Sequence, residues 1–142
     1  MTTIAYKEGI IAYDSYLTSD IIIDKDYNKK IVRNGLVFFT SGLEVHFLEL
    51  IDCYLNESKV QTDLNCMLLM VEKGKLYKVL NTNSLDVVKD LVDLNKPSAI
   101  GSGRHFALGA MDFGASAKQA VKIASGRDLY TGGRIRTYKL YK

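Results

Sequence analysis

The chain has no tryptophan, one proline and two cysteines in 142 residues. Cys53 and Cys66 lie far apart, without CxxC spacing or companion histidines, so neither a zinc site nor a disulfide framework is indicated. Scarce proline and only 11 glycines argue against a disordered or low-complexity chain. No apolar run approaches the roughly 18 residues that cross a membrane, and the start lacks a signal-peptide pattern. We therefore expect a cytoplasmic protein.

The overall composition is that of an ordinary globular protein, with 47% hydrophobic and 25% charged residues. The length suits a single domain spanning residues 1–142. The net charge is +3, and basic residues crowd the end of the chain at Arg134, Arg136, Lys139 and Lys142. The aromatic and basic motifs of nucleic-acid-binding modules are lacking, so a solvated basic face is favoured over a nucleic-acid patch. We expect neither a nucleic-acid partner nor a membrane partner.

Hydrophobic periodicity and turn residues predict a mixture of strands and helices. Strands are predicted at residues 3–6, 10–13, 30–33, 36–39, 66–71, 76–80 and 134–140, with an Asn34-Gly35 turn in the second hairpin. Helices are predicted at residues 43–56, 104–113 and 116–125, and residues 81–98 permit a further short helix. This order of elements predicts two stacked sheets between helical layers.

The second residue, Thr2, offers a specific chemistry. If Met1 is removed, the hydroxyl of Thr2 and a free α-amine belong to one residue, and the amine can accept the hydroxyl proton. Many proteins begin Met-Thr, so this signal gains weight only from the rest of the chain.

Four segments, in order along the chain, carry a resemblance to a known family. The first runs from Thr2-Thr3-Ile4 through the hairpin to Asp14, the second is Lys30-Ile31 at the start of a strand, and the third is Ser41-Gly42 before a helix. The fourth begins with Ala99-Ile100-Gly101-Ser102-Gly103, continues through two helices, and ends with Arg127-Asp128-Leu129-Tyr130-Thr131-Gly132-Gly133. In these the chain resembles the N-terminal nucleophile hydrolases of the proteasome β-subunit and bacterial HslV type. The resemblance implies an α+β fold, a four-layer αββα sandwich of two antiparallel sheets between helices.

The resemblance also implies a nucleophile and its charged neighbours. Thr2 would attack a peptide carbonyl, with its own α-amine as the proton acceptor. Lys30 would be the buried ammonium beside the hydroxyl, and Asp14 would pair with it because a buried cation without a partner is costly. From the residues alone, a surface lysine in the polar Asn28-Lys29-Lys30 run is the favoured reading of Lys30, whereas Asp14 suits the end of a hairpin equally well.

Further roles follow from the same resemblance. The Gly42 amide would donate to the oxyanion, since a glycine before a helix allows close backbone approach. Ser102 and Thr131 would form hydrogen bonds near the Thr2 amine, and Asp128 would hold that network together. Taken singly, these residues also suit ordinary turns and helix caps.

Two weaker expectations concern ligands. Thr40 and Glu44 flank the segment that matches the substrate pocket and are candidate substrate-binding residues. No cofactor is required, but the family allows a structural Na⁺ or Mg²⁺ held by backbone carbonyls, here those of Ser125, Asp128 and Thr131.

The function implied is that of a threonine-type endopeptidase, active once Met1 is removed, acting on a peptide or an unfolded protein. The alternative is a catalytically silent, proteasome-like structural or interaction subunit. A ring-like homo-oligomer and an AAA+ unfoldase partner fit the resemblance, within a bacterial or phage-infected cell. Only about ten residues separate the first helix from the strand at Cys66, too few for the second long helix that helps this family form stacked rings.

Overall fold

The computed structural model describes residues 2–140, and Met1, at which the proposed processing occurs, lies outside them. Backbone contacts group the chain into two compact units. We call residues 2–29 with 93–140 unit 1, and Lys30–Val92 unit 2. The expectation of one domain over residues 1–142 stays a prediction.

Unit 1 is built on a four-stranded antiparallel sheet. Its strands are β1 (Ile4–Lys7), β2 (Ile10–Tyr13), β10 (Ser98–Ile100) and β11 (Arg136–Lys139), in the order β10-β1-β2-β11. A separate two-stranded ribbon joins β3 (Leu17–Thr18) and β4 (Ile22–Asp24). The helices α2 (Arg104–Asp112) and α3 (Ala117–Ser125) pack on this sheet, α2 on β10 and β1 and α3 on β1 and β2.

Small residues make this packing possible. The cluster between the sheet and the two helices consists mainly of alanines, namely Ala5, Ala12, Ala99, Ala107, Ala117 and Ala120, with Met111 and Val121. Alanine lets helices approach a sheet closely while it favours helix formation. Ser116 begins α3 with a capping box, in which its hydroxyl accepts the Gln119 amide and the Gln119 side chain accepts the Ser116 amide.

Unit 2 is an antiparallel meander with one helix. Its strands are β5 (Lys30–Arg33), β6 (Leu36–Gly42), β7 (Cys66–Glu72), β8 (Lys75–Asn81) and β9 (Val87–Leu91), paired in sequence order. A short 3-10 helix, Glu44–His46, leads into α1 (Phe47–Leu55), which packs on the sheet. Larger side chains fill this core, namely Phe38, Leu50, Ile51, Val60, Leu64, Leu68, Met70 and Val79.

Tight turns fix the register of the hairpins. Glu8-Gly9, Asn34-Gly35 and Lys73-Gly74 each place two successive residues at positive φ, the conformation of two-residue hairpin turns whose twist matches that of the strands. The register in the first hairpin sets Ile4 opposite Tyr13, which brings the residues just before β1 close to those just after β2.

The structure confirms an α+β chain with antiparallel sheets, and it corrects one local expectation and adds one element. Residues 81–98 form no helix; β9 occupies part of this segment and pairs with β8 along its whole length. The apolar residues there satisfy both periodicities, and pairing with a free sheet edge decides for the strand. The ribbon of β3 and β4 was not predicted at all. In the described residues, no helix is both long and apolar enough to span a bilayer.

Candidate active site

The first hairpin brings Thr2 to Asp14. Asp14 follows β2, and its amide donates to the Thr3 carbonyl at 3.3 Å, so the pairing of β1 and β2 extends to the residues before β1. Thr2 and Asp14 are both buried, at 1% and 0% exposure. The Thr2 hydroxyl donates a hydrogen bond to Asp14 Oδ1.

Asp14 is held by backbone amides on both of its oxygens. The amide of Thr3 donates to Oδ1 at 3.1 Å, and those of Gly132 and Tyr16 donate to Oδ2 at 3.0 and 3.3 Å. Gly132 is required in this place because a Cβ there would collide with the ring of Tyr16. These three amides hold the Asp14 carboxyl group in a fixed position.

The cation paired with Asp14 is Lys29, and this corrects the prediction that Lys30 would be its partner. Lys29 is 2% exposed and its Nζ donates to Asp14 Oδ1, the oxygen that also accepts the Thr2 hydroxyl. Lys30 begins β5 and is half-buried. Consecutive residues of an extended chain project to opposite sides, so an error of one position in the sequence selects the wrong side chain.

Burial sets the titration of Lys29. Loss of solvation lowers the pKa of Lys29 below its ordinary value of 10.5, while attraction to Asp14, hydrogen bonding with Asp14 and attraction to Asp128 oppose that shift. Lys29 therefore releases its proton more readily than a surface lysine does.

A second polar cluster surrounds the backbone nitrogen of Thr2. The Thr2 N–H donates to Ser102 Oγ at 3.1 Å. Ser102 Oγ in turn donates to Asp128 Oδ2 at 2.5 Å, and Thr131 Oγ1 donates to the same oxygen at 2.6 Å. The structure thus brings together Ser102, Asp128 and Thr131 at the nitrogen that removal of Met1 would convert to an α-amine.

Hydrogen bonds keep Asp128 ionised. Burial by itself would raise the pKa of Asp128, but hydrogen bonds from Ser102, Thr131 and the Tyr130 amide outweigh it and hold the pKa below its ordinary value of 3.8. Asp128 is therefore an acceptor for both hydroxyls at neutral pH.

The Gly-Ser-Gly segment is required by close contact with Thr2. Gly101 has φ +99°, and a Cβ at this position would lie 2.7 Å from the Thr2 carbonyl carbon. The Gly103 amide donates to the Thr2 carbonyl at 3.2 Å. Both glycines let the backbone around Ser102 approach the Thr2 backbone directly.

The other predicted site residues belong to unit 2. Gly42 ends β6 at φ +114°, and a Cβ there would lie 2.6 Å from the Cys66 Cα, so its lack of a side chain serves strand pairing. Thr40 is buried in β6 and Glu44 is exposed at the start of the 3-10 helix. Their roles as oxyanion donor and substrate-binding residues stay predictions.

The candidate cation ligands, the carbonyls of Ser125, Asp128 and Thr131, lie at the end of α3 and in the turn that follows. The Asp128 carbonyl accepts the Thr131 amide at 3.2 Å, and the Ser125 hydroxyl donates to the Lys122 carbonyl at 2.6 Å. No cluster of three or more metal-ligating side chains exists among residues 2–140. A site made of backbone carbonyls needs no such cluster of side chains, so a Na⁺ or Mg²⁺ ion held here stays a prediction.

Sequence reasoning missed Lys29, Thr3 and the amide donors to Asp14. Lys29 stands next to the residue chosen, and only the side of the chain that it faces distinguishes it. A Gly132-Gly133 pair is typical of a turn, and a turn beside an aspartate network could have suggested a backbone donor. Thr3 carried no signal beyond its position after Thr2.

Comparison with known proteins yields a similarity of structure alone. No protein-family model matches the chain, and no curated protein matches it. Among solved structures, the chain is similar to "BPH" of Thiobacillus denitrificans, solved in complex with epoxomicin, with a TM-score of 0.66 and 18% sequence identity. The similarity covers 99% of each chain, so the chain shares its fold with that protein over essentially its whole length.

Proposed function

We propose that this chain is a threonine-type endopeptidase of the N-terminal nucleophile class, with Thr2 as its nucleophile after removal of Met1. The observation that carries the proposal is that two separate polar clusters hold the two reactive atoms of one residue. Asp14 and Lys29 hold the Thr2 hydroxyl, and Ser102 holds the Thr2 nitrogen. A structural threonine needs neither arrangement.

The proposed reaction proceeds through an ester on Thr2. The α-amine accepts the hydroxyl proton while Oγ1 forms a bond to the carbonyl carbon of the scissile peptide. The peptide C–N bond then breaks, and the departing amine takes up the proton. Water attacks the ester in a second step, which releases the acid product and restores the Thr2 hydroxyl.

Lys29 takes the role that the resemblance gave to a lysine beside the nucleophile. Its ammonium, close to the oxygen that accepts the Thr2 hydroxyl, stabilises negative charge that develops on Oγ1 during attack.

The structural neighbour supports this proposal. That protein was solved with epoxomicin, an inhibitor of proteasome-type threonine proteases, and its whole length matches this chain. The proposal extends to the four-layer sandwich, to a peptide or unfolded-protein substrate bound near Thr40 and Glu44, and to the Gly42 amide as oxyanion donor. A ring-like homo-oligomer, an AAA+ partner and a cytoplasmic location complete the proposal.

The test is the formation of a covalent adduct. The chain is prepared with Thr2 as its first residue and treated with a peptide epoxyketone, and intact mass is measured. We expect one adduct per chain, no adduct in Thr2→Ala, and full adduct formation in Thr137→Ala, which removes an exposed threonine of β11.

Two results would count against the proposal. An adduct that persists in Thr2→Ala places the reactive group elsewhere. No adduct in the chain that begins at Thr2 favours the catalytically silent subunit instead. Mass measurement of the untagged chain from its own host then determines whether Met1 is removed there, as an active enzyme requires.

A further inference from the structure

The structure assigns a positioning role to Thr3, the residue that follows the proposed nucleophile. Thr3 is fully buried and contacts both polar clusters of the site. Its amide donates to Asp14 Oδ1 at 3.1 Å, and its Oγ1 lies 2.7 Å from Thr131 Oγ1. No other residue of the described network contacts Asp14 through its amide and the Asp128 cluster through its hydroxyl.

Counting protons gives the direction of the Thr3–Thr131 hydrogen bond. Asp128 is ionised and offers no proton, so the Thr131 hydroxyl must donate its single proton to Asp128 Oδ2 at 2.6 Å. Thr131 Oγ1 can then only accept from Thr3. The Thr3 hydroxyl is therefore the donor.

The same counting orients Ser102. Its single proton goes to Asp128 Oδ2 at 2.5 Å in preference to the more distant Thr2 carbonyl at 3.3 Å, so Ser102 Oγ accepts from the Thr2 nitrogen. An α-amine at that position would donate to Ser102 and keep its lone pair. A free lone pair is what the proposed base needs in order to take the hydroxyl proton.

The space around Thr3 leaves its hydroxyl little freedom. The backbone of Gly103 packs against the Thr3–Thr131 pair, because a Cβ on Gly103 would collide with Thr3 Oγ1 and lie 3.1 Å from Thr131 Oγ1. Thr131 is itself 2% exposed, so water does not readily replace the Thr3 hydroxyl as a donor.

Thr3 thus acts through Thr131. Its hydroxyl fixes the Thr131 hydroxyl in the orientation that donates to Asp128, and a fully satisfied Asp128 keeps Ser102 as an acceptor for the amine. The kinetic part of the test rests on the proposed function, but the network itself does not.

The kinetic test compares five variants with the wild type, each prepared with Thr2 as its first residue. The rate of epoxyketone adduct formation is measured across the acidic to basic range. We expect Thr3→Val to react about fivefold more slowly, the effect of one neutral buried hydrogen bond, and Thr3→Ser to react close to the wild-type rate. Because Thr3 acts through Thr131, Thr3→Val combined with Thr131→Val reacts no more slowly than Thr131→Val alone. Thr137→Val is the matched control on the exposed face of β11.

A second measurement does not depend on activity. The Asp128 carboxyl is titrated by NMR, and we expect its pKa to rise in Thr3→Val and to stay unchanged in Thr3→Ser. If the wild-type chain forms no adduct, the proposed function fails and this titration alone decides the role of Thr3.

Three results overturn the assignment: a wild-type reaction rate in Thr3→Val, additive losses in the double variant, or an Asp128 pKa that does not respond to Thr3→Val. Thr3→Ala removes the same hydroxyl without placing a methyl group against Thr131, and it replaces Thr3→Val if that variant does not fold.

Discussion

The two units of this chain bury different kinds of residue. Unit 1 buries a polar set, namely Thr2, Thr3, Asp14, Ser15, Thr18, Lys29 and Thr131, whereas unit 2 buries only Thr40 and Ser41 among polar residues of the described chain. The core between the sheet and α1 in unit 2 is built from large apolar side chains. The helices of unit 1 instead pack on the sheet through alanines.

This difference matters because apolar and polar burial contribute unequally to the stability of a fold. Apolar burial stabilises a fold by about 25 cal/mol per Å², whereas buried polar groups contribute little net stability even when all are paired. A network such as that around Asp14 and Asp128 is therefore poorly explained by stability alone. Its connection to both the hydroxyl and the nitrogen of Thr2 is what the proposed function explains.

The largest effect is expected when the buried charge of Lys29 in unit 1 is replaced by an apolar side chain. Lys29→Met leaves the Asp14 carboxylate buried without its cation, and we expect a loss of about 3 to 5 kcal/mol in the free energy of unfolding. Adduct formation at Thr2 should fall about a hundredfold, as for loss of a group that stabilises developing negative charge. Urea unfolding and the epoxyketone rate measure the two effects.

Lys30→Met is the matched control for this variant. Lys30 is half-buried at the start of β5, and we expect its replacement to cost less than about 1 kcal/mol and to leave adduct formation intact. Combining Asp14→Asn with Lys29→Met should restore part of the stability but none of the reaction, since the buried charge is then gone. Equal effects of Lys29→Met and Lys30→Met would contradict the assignment of Lys29.

How far the sequence predicted these features depends on the range of the interaction. The hairpin turns and the Ser116 cap are local, and their residues identify them directly. Asp14, Ser102, Asp128 and Thr131 were located by the spacing of family-like segments, and the structure brings them to Thr2. Lys29 was missed because the choice between adjacent lysines depends on which side each faces, and β9 was missed because its pattern fits helix and strand alike.

A smaller effect on stability is expected from Asp128, and it should depend on pH. Because the pKa of Asp128 is held below 3.8 in the folded state, its contribution to stability is present above that value and is lost as pH falls through the folded pKa. We expect Asp128→Asn to cost about 1 kcal/mol near neutral pH, a figure reduced for its partial exposure, and the gap to the wild type to close in strong acid. Urea unfolding at several pH values tests this, and a gap that stays constant into acid contradicts it.

Alkylation of Cys66 tests whether the reactivity of the chain belongs to unit 1. Burial, reinforced by the negative charge of Glu49, raises the pKa of the Cys66 thiol to about 12. At about pH 8 the thiolate is then so scarce that alkylation should be about a thousandfold slower than for an unperturbed cysteine. Peptide mapping after iodoacetamide treatment measures this, with urea-unfolded protein as the control in which Cys66 reacts at an ordinary rate.

A thiol is intrinsically a better nucleophile than a hydroxyl, so an epoxyketone adduct on Thr2 beside an unmodified Cys66 would show that reactivity follows the polar surroundings of unit 1. Rapid alkylation of Cys66 in the folded protein would remove that distinction.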